Sequence, residues 1–347
     1  MKRDLVDLLA CPDCGGELAL SADGGAGAEV DSGSLLCQGC EEAYPIRRGV
    51  PRFVEQSSSA TADHFELEFT AEAEGDRDID EPALLAFIFN SRTGLDPAAT
   101  APRADWYPTE APEGYEPDWG SVEGRTVLEG GCGPGRFLPL LAPHARRVVG
   151  LELGPHVDRA ADRCSGVDNV DLVQGSVLKP PFKRGAFDVT YSLGVLHHTP
   201  APPDGASVLA ALVGPGGTLA IWVYPPSYWG RGVQRLTGPA VNAYMKRIGP
   251  ERAHRFARRR LMPLGRLQMR LARRRSTKVL AAPLFVVSVP RHPVPEVMLA
   301  TIFDYFGAPI ISTHKPDEVV EWLEGEGFVE VRELPVPTSV QAVRAAS

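Results

Sequence analysis

Four cysteines near the amino terminus have the spacing of a metal site. Cys11 and Cys14 form one C-x-x-C pair, and Cys37 and Cys40 form a second. Two such pairs complete a tetrahedral thiolate shell suited to Zn²⁺. Because a closed four-cysteine shell leaves no open position for a substrate, we expect this zinc to be structural rather than catalytic. A disulfide is the alternative, and a reducing compartment disfavours it.

A glycine-rich turn carries the second group of residues that could do chemistry. The sequence VLEGGCGPG, residues 127–135, predicts a strand that ends at Glu129 and a turn whose backbone can approach a ligand closely. The dinucleotide fingerprint G-x-G-x-x-G does not fit. Started at Gly131 it requires glycine where Arg136 stands, and started at Gly130 it requires glycine where Cys132 stands. A P-loop is also excluded, because no Gly-Lys-Ser/Thr follows.

The remaining pattern, acidic-x-G-x-G-x-G, resembles the cofactor loop of class I S-adenosylmethionine-dependent methyltransferases. Glu152 ends the next predicted strand, where the resemblance implies an acid that accepts the ribose hydroxyls. Residues 174–177, QGSV, match the adenine-contacting turn of that family, with serine where it usually has aspartate. The landmarks run in order over residues 122–225. The resemblance implies that the cofactor is bound by Glu129, Gly131, Gly133, Gly135, Glu152, Ser176, Val177 and Leu193.

The residues around the cysteines carry a second resemblance. The segments LLACPDC (8–14), LCQGC (36–40) and AYPIRRGVP (43–51) resemble the small zinc-ribbon activators of tRNA, rRNA and release-factor methyltransferases. The resemblance covers about residues 4–54. In that family the ribbon is a stabilising partner of the enzyme, so the resemblance implies that here it is fused to its client.

The order of the elements indicates how these sites are positioned. Between residues 125 and 225 short apolar strands alternate with helical stretches, which predicts parallel crossovers and a doubly wound sheet. A helix from Pro316 to Glu324 and a hairpin of 328–331 with 339–343 close the chain. Together with the resemblance, this predicts an α/β fold: a Rossmann-like, mostly parallel seven-stranded sheet with a small N-terminal zinc-ribbon domain.

Three segments follow from this organisation. Residues 1–55 form the zinc ribbon, and residues 56–120 form an aromatic-rich linker or lid. Because disordered segments are poor in aromatic residues, we expect this second segment to pack against another part of the protein. Residues 121–347 form the methyltransferase domain, with a basic helical insertion at 230–278.

Candidate catalytic residues lie where the acceptor would enter. They are His197, His198, Asp304 and His314. Methyl transfer from a sulfonium depends largely on positioning, and a base helps only when the acceptor must lose a proton. Similar His-His endings occur in relatives with unrelated acceptors, so a structural or pocket-lining role is the alternative for the first two. For Asp304 and His314 the alternatives are helix capping and surface solvation. Residues 192–195, SLGV, replace the Asn/Asp-Pro-Pro-Tyr/Phe clamp, which argues against adenine amines and glutamine amides as acceptors.

Charge is distributed unevenly along the chain. The net charge is −8, yet residues 231–278 contain fifteen Lys or Arg residues and a single acid, Glu251. This block fits a packed amphipathic lid, a recruiter of anionic small molecules, or a surface for RNA or an anionic membrane. Its interspersed leucines favour a packed face over an exposed nucleic-acid arm. The sequence predicts no membrane-spanning segment, and Asp4 and Asp7 interrupt any signal-like start, so we expect a cytoplasmic protein.

The sequence therefore predicts an S-adenosylmethionine-dependent methyltransferase with a structural zinc. We expect it to methylate an oxygen of a small, possibly anionic acceptor in specialised metabolism. The first alternative is an RNA- or translation-factor-modifying enzyme with a fused activator. The second is a non-enzymatic interaction protein, which would not bind the cofactor.

Overall fold

The computed structural model describes residues 1–23, 27, 29–54, 64–65, 82–99, 108, 110–227, 233–272, 287, 289 and 295–346. The chain forms two compact units. The first comprises Met1–Ser57, Glu81–Pro225 and His314–Ser347, and the second comprises Ser58–Asp80 and Pro226–Thr313. The ribbon thus belongs to the same compact unit as the predicted methyltransferase core. Residues 233–272 of the predicted basic insertion lie within the second unit, which extends to residue 313, and residues 230–232 and 273–278 lie outside the described residues.

The amino-terminal ribbon is a small antiparallel sheet. A 3₁₀ helix, Arg3–Leu8, precedes four strands in the order β1 (Leu18–Ala22), β2 (Gly33–Cys37), β3 (Ala43–Arg47) and β4 (Val50–Pro51). Alternate residues of β3 point to opposite faces, so Tyr44 and Ile46 are buried while their neighbours are more exposed. This alternation gives the short sheet one apolar face.

The main sheet has seven strands. These are β5 (Thr126–Gly130), β6 (Arg147–Glu152), β7 (Val170–Gln174), β8 (Phe187–Leu193), β9 (Val213–Trp222), β10 (Phe328–Glu333) and β11 (Ser339–Arg344). Their order is β10-β11-β9-β8-β5-β6-β7, and the pairs β7–β6, β6–β5, β5–β8 and β8–β9 are parallel. β11 pairs antiparallel with both β9 and β10. The predicted Rossmann-like, mostly parallel seven-stranded sheet is therefore confirmed, as is the carboxy-terminal hairpin.

The central strands are buried on both faces, as expected for a parallel sheet covered by helices. Val127 and Val148 pack into one apolar cluster, whereas Leu128 and Val149 pack into another on the opposite face. The covering helices of this unit are α1 (Pro82–Thr93), α2 (Leu138–Leu141), α3 (His156–Arg163), α4 (Pro202–Leu212) and α9 (Pro316–Leu323), with a 3₁₀ turn at Leu196–His198.

The ribbon shares a core with the main sheet. The buried residues Leu5 and Leu9 of the ribbon belong to the same apolar cluster as Phe182 and Phe187. The backbone of residues 8–10 is hydrogen-bonded to residues 181–183, with the amide of Ala10 donating to the carbonyl of Pro181 at 3.0 Å. The ribbon therefore cannot lose its fold without exposing apolar surface of the sheet.

Part of the aromatic-rich segment before the sheet is an ordered helix. α1 contacts β9 and β11. Its Phe89 is fully buried and packs edge-on against Tyr191 of β8, with ring centroids 5.0 Å apart. The aromatic residues of this helix are thus part of the core of the first unit.

The second unit is helical. It contains α5 (Gln234–Ile248), α6 (Pro250–Phe256), a π-helical turn (Ala257–Leu261), α7 (Met262–Ala272) and α8 (Pro295–Gly307). Its core includes Met245, Ala257, Leu261, Phe303 and Phe306. Within the part of the chain that the structure describes, none of the helices is long and apolar enough to cross a membrane.

Candidate functional site

The four ribbon cysteines form a metal centre. Cys11, Cys14, Cys37 and Cys40 place their sulfur atoms within 4.8 Å of one another. The Cys11–Cys40 and Cys14–Cys37 sulfur pairs are 3.7 and 3.4 Å apart. A tetrahedral Zn²⁺ with bonds of about 2.3 Å requires sulfur atoms roughly 3.8 Å apart, so the thiol set fits the ion.

Backbone amides and one tyrosine support this cluster. The amides of Cys40 and Gly39 lower the pKa of Cys37 to about 6, which favours the thiolate that a metal requires. Tyr44 places its hydroxyl 3.1 Å from the sulfur of Cys11 and donates a hydrogen bond to Asp13 at 2.7 Å. The ribbon sheet thus orients the cluster through groups beyond the four ligands.

The glycine loop after β5 is held tightly against β6. The amides of Gly131 and Cys132 both donate to the carbonyl of Leu151, at 2.8 and 2.9 Å. Gly131 has a φ of +83°, and a Cβ added there would lie 2.5 Å from the side chain of Val195. Only glycine satisfies both the left-handed backbone and the close approach. The loop therefore presents bare backbone beside the carboxyl ends of the strands.

Glu152 links two parts of this loop region. Its Oε2 accepts from the amide of Gly133 at 2.9 Å, and its Oε1 accepts from the amide of Gly154 at 2.7 Å. Burial raises the pKa of Glu152, and the backbone amides of Gly154, Gly133 and Leu153 oppose that effect. Each carboxylate oxygen keeps acceptor capacity for a further donor such as a hydroxyl. The carboxylate therefore orders the glycine loop and is suited to ribose hydroxyls.

Glu129 is the second buried acid at this edge of the sheet. Burial raises its pKa to about 8, and the neighbouring Tyr191 opposes the rise. The Tyr191 side chain is fully buried beside Glu129. A buried carboxylate gains from a cationic partner, and the ammonium of an amino-acid ligand is such a partner.

The remaining predicted cofactor residues lie at the ends of neighbouring strands. Ser176 and Val177 follow β7, and Leu193 is the last residue of β8. The hydroxyl of Ser176 accepts from the amide of Leu178 at 3.2 Å, which shapes the turn, and Val177 is buried. The structure thus brings all eight predicted cofactor residues to the carboxyl edge of β5–β8, the position where open α/β sheets bind ligands.

The sequence analysis missed Arg52, a ribbon residue that reaches this edge. Its guanidinium donates to Gln174 Oε1 at 3.1 Å and to Asp158 Oδ1 at 2.7 Å. The side-chain amide of Gln174 in turn donates to the carbonyl of Leu153 at 3.1 Å, directly after Glu152. The ribbon backbone adds a hydrogen bond from the amide of Phe53 to the carbonyl of Gln174 at 2.8 Å. An arginine directly after the segment AYPIRRGVP (43–51) carries no signal of its own in the sequence, because its partners lie more than 100 residues away.

Histidine and aromatic residues cluster after β8 and β9. His197 is fully buried and stacks on Tyr224, with ring centroids 3.6 Å apart. His198 lies beside it, at 4.1 Å between ring centroids. His314 donates its backbone amide to the carbonyl of Tyr224 at 2.8 Å, and its Nδ1 lies 3.4 Å from Glu318. The structure therefore brings three of the four candidate catalytic residues together.

Burial lowers the pKa of two of these histidines, His197 and His314. Burial lowers the pKa of His197 well below its usual value, and His198 and His314 add to the effect, so this ring is neutral. Burial also lowers the pKa of His314, against the opposing effect of Glu318. A neutral imidazole can accept a proton from an acceptor hydroxyl.

The fourth candidate, Asp304, is a buried residue of α8 in the second unit.

Comparisons with known proteins agree with this architecture. Residues 128–221 match the methyltransferase-domain family model, and residues 2–49 match the model of Trm112p-like proteins. The first match covers β5 to β9 with the glycine loop, and the second covers the four cysteines. The chain has a Rossmann-like methyltransferase fold. It carries a methyltransferase domain joined to an amino-terminal Trm112p-like domain with a zinc-type cysteine cluster.

Individual relatives match only part of the chain. An uncharacterized methyltransferase of Mycobacterium avium is 30% identical over 109 residues, which are 30% of this chain and 43% of that protein. A tRNA U34 carboxymethyltransferase of Shewanella loihica is 34% identical over 125 residues, 34% of this chain and 36% of that protein. The chain thus spans less than half of the length of either relative. A solved complex of the Haloferax volcanii Trm112 methyltransferase activator is 20% identical, with a TM-score of 0.36, over 48% of this chain and 62% of that one.

Proposed function

We propose that this chain is an S-adenosylmethionine-dependent methyltransferase that methylates an oxygen atom of a small-molecule acceptor. The observation that carries the cofactor assignment is the pair of hydrogen bonds that Glu152 accepts from Gly133 and Gly154. Together with the close approach of Gly131 to Val195, they fix the glycine loop beside a buried carboxylate.

Each part of the loop has a role in this proposal. Glu152 accepts the ribose hydroxyls, and Glu129 pairs with the ammonium of the methionine part. The turn at Ser176 and Val177 contacts the adenine, while Leu193 and the glycines 131, 133 and 135 complete the wall. S-adenosylmethionine supplies an electrophilic methyl group, so the protein needs chiefly to hold the acceptor oxygen in line with it.

The histidine cluster supports an acceptor that must lose a proton. His198 retains a little exposure, about 6%, whereas His197 has none. His198 is therefore the group that takes the proton of a hydroxyl acceptor, and His197 and Tyr224 form the stacked wall against which it is oriented. His314, tied by its backbone to Tyr224, closes the same cluster.

One observation favours a second function. The relatives of this chain include tRNA U34 carboxymethyltransferases, and the matched ribbon family is Trm112p-like. A tRNA or another translation component is therefore the alternative acceptor. An assay of labelled methyl transfer distinguishes the two functions, because the label would appear on a small molecule in one case and on RNA in the other.

Calorimetric titration with S-adenosylhomocysteine tests the cofactor site. Wild type is expected to bind, and Glu152→Gln is expected to weaken binding about tenfold or more, because the amide nitrogen faces donors that the carboxylate accepted from. Glu330→Gln, an exposed change on β10, is the matched control and keeps wild-type affinity. A well-folded wild type that binds no S-adenosylhomocysteine would reject the proposal.

The acceptor is tested by transfer of a labelled methyl group to phenols and carboxylates, and separately to bulk tRNA. We expect label on a small hydroxyl compound, and we expect His198→Asn to lose this activity while it keeps its affinity for S-adenosylhomocysteine. Label on tRNA alone would replace the small-molecule assignment by the alternative.

A further inference from the structure

The second unit carries a strongly cationic surface that the cofactor site does not use. Between residues 233 and 272 the chain has ten Lys or Arg residues and one acid, Glu251. All ten are exposed: Arg235, Lys246, Arg247, Arg252, Arg255, Arg258, Arg259, Arg260, Arg266 and Arg270. The acid is itself an ion-pair partner of Arg255, at 4.0 Å. This run therefore presents a positive field that attracts an anionic partner.

Large apolar side chains are exposed on these helices and at Val233, directly before α5. Leu236 is 75% exposed, Val233 52%, Tyr244 48% and Leu267 40%. The inward faces are accounted for, because Met245, Ala257 and Leu261 pack in the core of this unit. The predicted packed face is therefore present, and a second apolar set points away from it.

On α5 the exposed apolar residues form a stripe. Leu236, Ala240 and Ala243 are exposed and recur at the three- and four-residue spacing of one helix face, and the exposed Arg247 continues that face. Arg235 and Lys246 lie together on one side of the stripe. A helix with apolar residues on its outer face and basic residues beside them is typical of a helix that lies in the interface of a membrane.

Two further elements of the unit repeat the combination. On α7 the exposed residues Pro263, Arg266, Leu267 and Arg270 again recur at i, i+3, i+4 and i+7, with a leucine between arginines. Between α6 and α7 the π-helical turn exposes three consecutive arginines, 258–260. Clusters of four to eight basic residues on an amphipathic helix are typical of binding to anionic lipids.

We infer that α5, the π turn and α7 form a docking surface for a membrane rich in anionic phospholipid. Charge complementarity brings the surface to the lipid headgroups, and Leu236, Tyr244 and Leu267 insert at the boundary of the acyl chains. A nucleic acid would also satisfy the arginines, but phosphate contacts give no role to the exposed aliphatic side chains of Leu236 and Val233. The inference concerns attachment at a surface and is independent of the proposed methyl transfer.

Sedimentation of the full-length, zinc-loaded protein with lipid vesicles tests the inference. Vesicles of phosphatidylcholine alone are compared with vesicles that also contain phosphatidylglycerol, at low and at raised salt. We expect binding that requires phosphatidylglycerol and weakens as salt is raised. Equal binding to both vesicle types, or binding to neither, would overturn the inference.

Variants separate the apolar contribution from the charge contribution. Leu236→Asp is expected to weaken binding about tenfold, whereas Val329→Asp, at a position 71% exposed on β10, leaves it unchanged. Replacement of Lys246 and Arg247 by glutamine is expected to weaken it about fivefold for each charge removed. Arg184→Gln, an exposed position of the first unit, is the matched charge control.

Folding and the rival partner are checked in the same series. Because Leu236 is exposed, Leu236→Asp is expected to keep the wild-type unfolding temperature and the wild-type affinity for S-adenosylhomocysteine. A single-stranded RNA that binds more tightly than the anionic vesicles, with the same affinity in Leu236→Asp, would assign the surface to nucleic acid and overturn the membrane inference.

Discussion

Replacement of Arg52 by methionine tests how the ribbon contributes to the cofactor site. Methionine keeps an unbranched apolar stem and removes the guanidinium, whose side chain is only 10% exposed. The change deletes the hydrogen bonds to Gln174 and Asp158. Breaking a fully buried ion pair costs about 3–5 kcal/mol. The Asp158 side chain is 36% exposed and can be rehydrated, so we expect a loss of about 2 kcal/mol in the free energy of unfolding.

Arg48 provides a matched control because it shares a partner with Arg52. Its guanidinium lies 3.6 Å from Asp158 and 2.6 Å from Asp162, and its side chain is 59% exposed. Exposed ion pairs contribute about 0–1 kcal/mol. Arg48→Met is therefore expected to change the free energy of unfolding by less than about 1 kcal/mol, although the same type of residue is removed.

Urea unfolding and calorimetric titration provide the two readouts. Gln174, held by Arg52, donates to the carbonyls of Leu153 and Gly154 beside Glu152. Arg52→Met is therefore expected to weaken S-adenosylhomocysteine binding about fivefold, whereas Arg48→Met keeps wild-type affinity. Equal destabilisation by both variants would refute the argument from burial. A destabilised Arg52→Met with wild-type affinity would refute the positioning of Glu152 through Gln174.

Three further perturbations address the loop, its acid and the metal. Gly131→Ala is expected to lower the free energy of unfolding in urea by about 2–4 kcal/mol, because the added methyl group clashes with Val195 and the backbone is left-handed. Gly166→Ala is the control, because Gly166 has a φ of +81° but no neighbour within 4 Å, and it is expected to cost only about 1 kcal/mol. Similar losses of unfolding free energy in both variants would contradict the proposed clash with Val195. Burial raises the pKa of Glu129 from 4.5 to about 8. The folded protein therefore holds a proton in that window that the unfolded chain has lost, so stability falls as pH rises from about 4.5 to 8. In Glu129→Gln the free energy of unfolding is expected to fall less steeply between pH 5 and 8. A pH dependence equal to that of the wild type would contradict the raised pKa of Glu129. Elemental analysis is expected to find one zinc per chain, lost in Cys14→Ser together with a lower unfolding temperature; full metal content in that variant would remove Cys14 from the ligand set.

Local patterns were sufficient for the metal centre and the cofactor loop. Two C-x-x-C pairs and the acidic-glycine turn are each specified by residues close together in the chain, and their chemistry depends on residue type and spacing. The strands β5 to β9 were predictable for the same reason, because apolar runs alternate with helices. Gly131 was predictable as a point of close approach, although Val195, the side chain it approaches, was not.

Longer-range arrangements were not predictable in this way. α1 lies in the segment predicted as an aromatic-rich linker or lid that packs against another part of the protein. Only the structure shows that it packs against β9 and β11. The extent of the second unit to residue 313 also depends on packing, since the basic segment by itself suggested an end near residue 278.

The residue types and spacings in this chain thus determine a four-cysteine metal centre, a glycine loop flanked by two acids, and the class of sheet that carries them. These properties depend on neighbours within a few residues or on the period of a strand or helix. Tertiary structure decides that Arg52 supports Glu152 through Gln174, that His197 is neutral against Tyr224, and that Leu236 is exposed beside cations rather than buried. The partner, charge state and exposure of these side chains depend on which distant segments of the chain pack around them and exclude water. Burial of this kind is set by the packing of the whole unit, not by the local sequence.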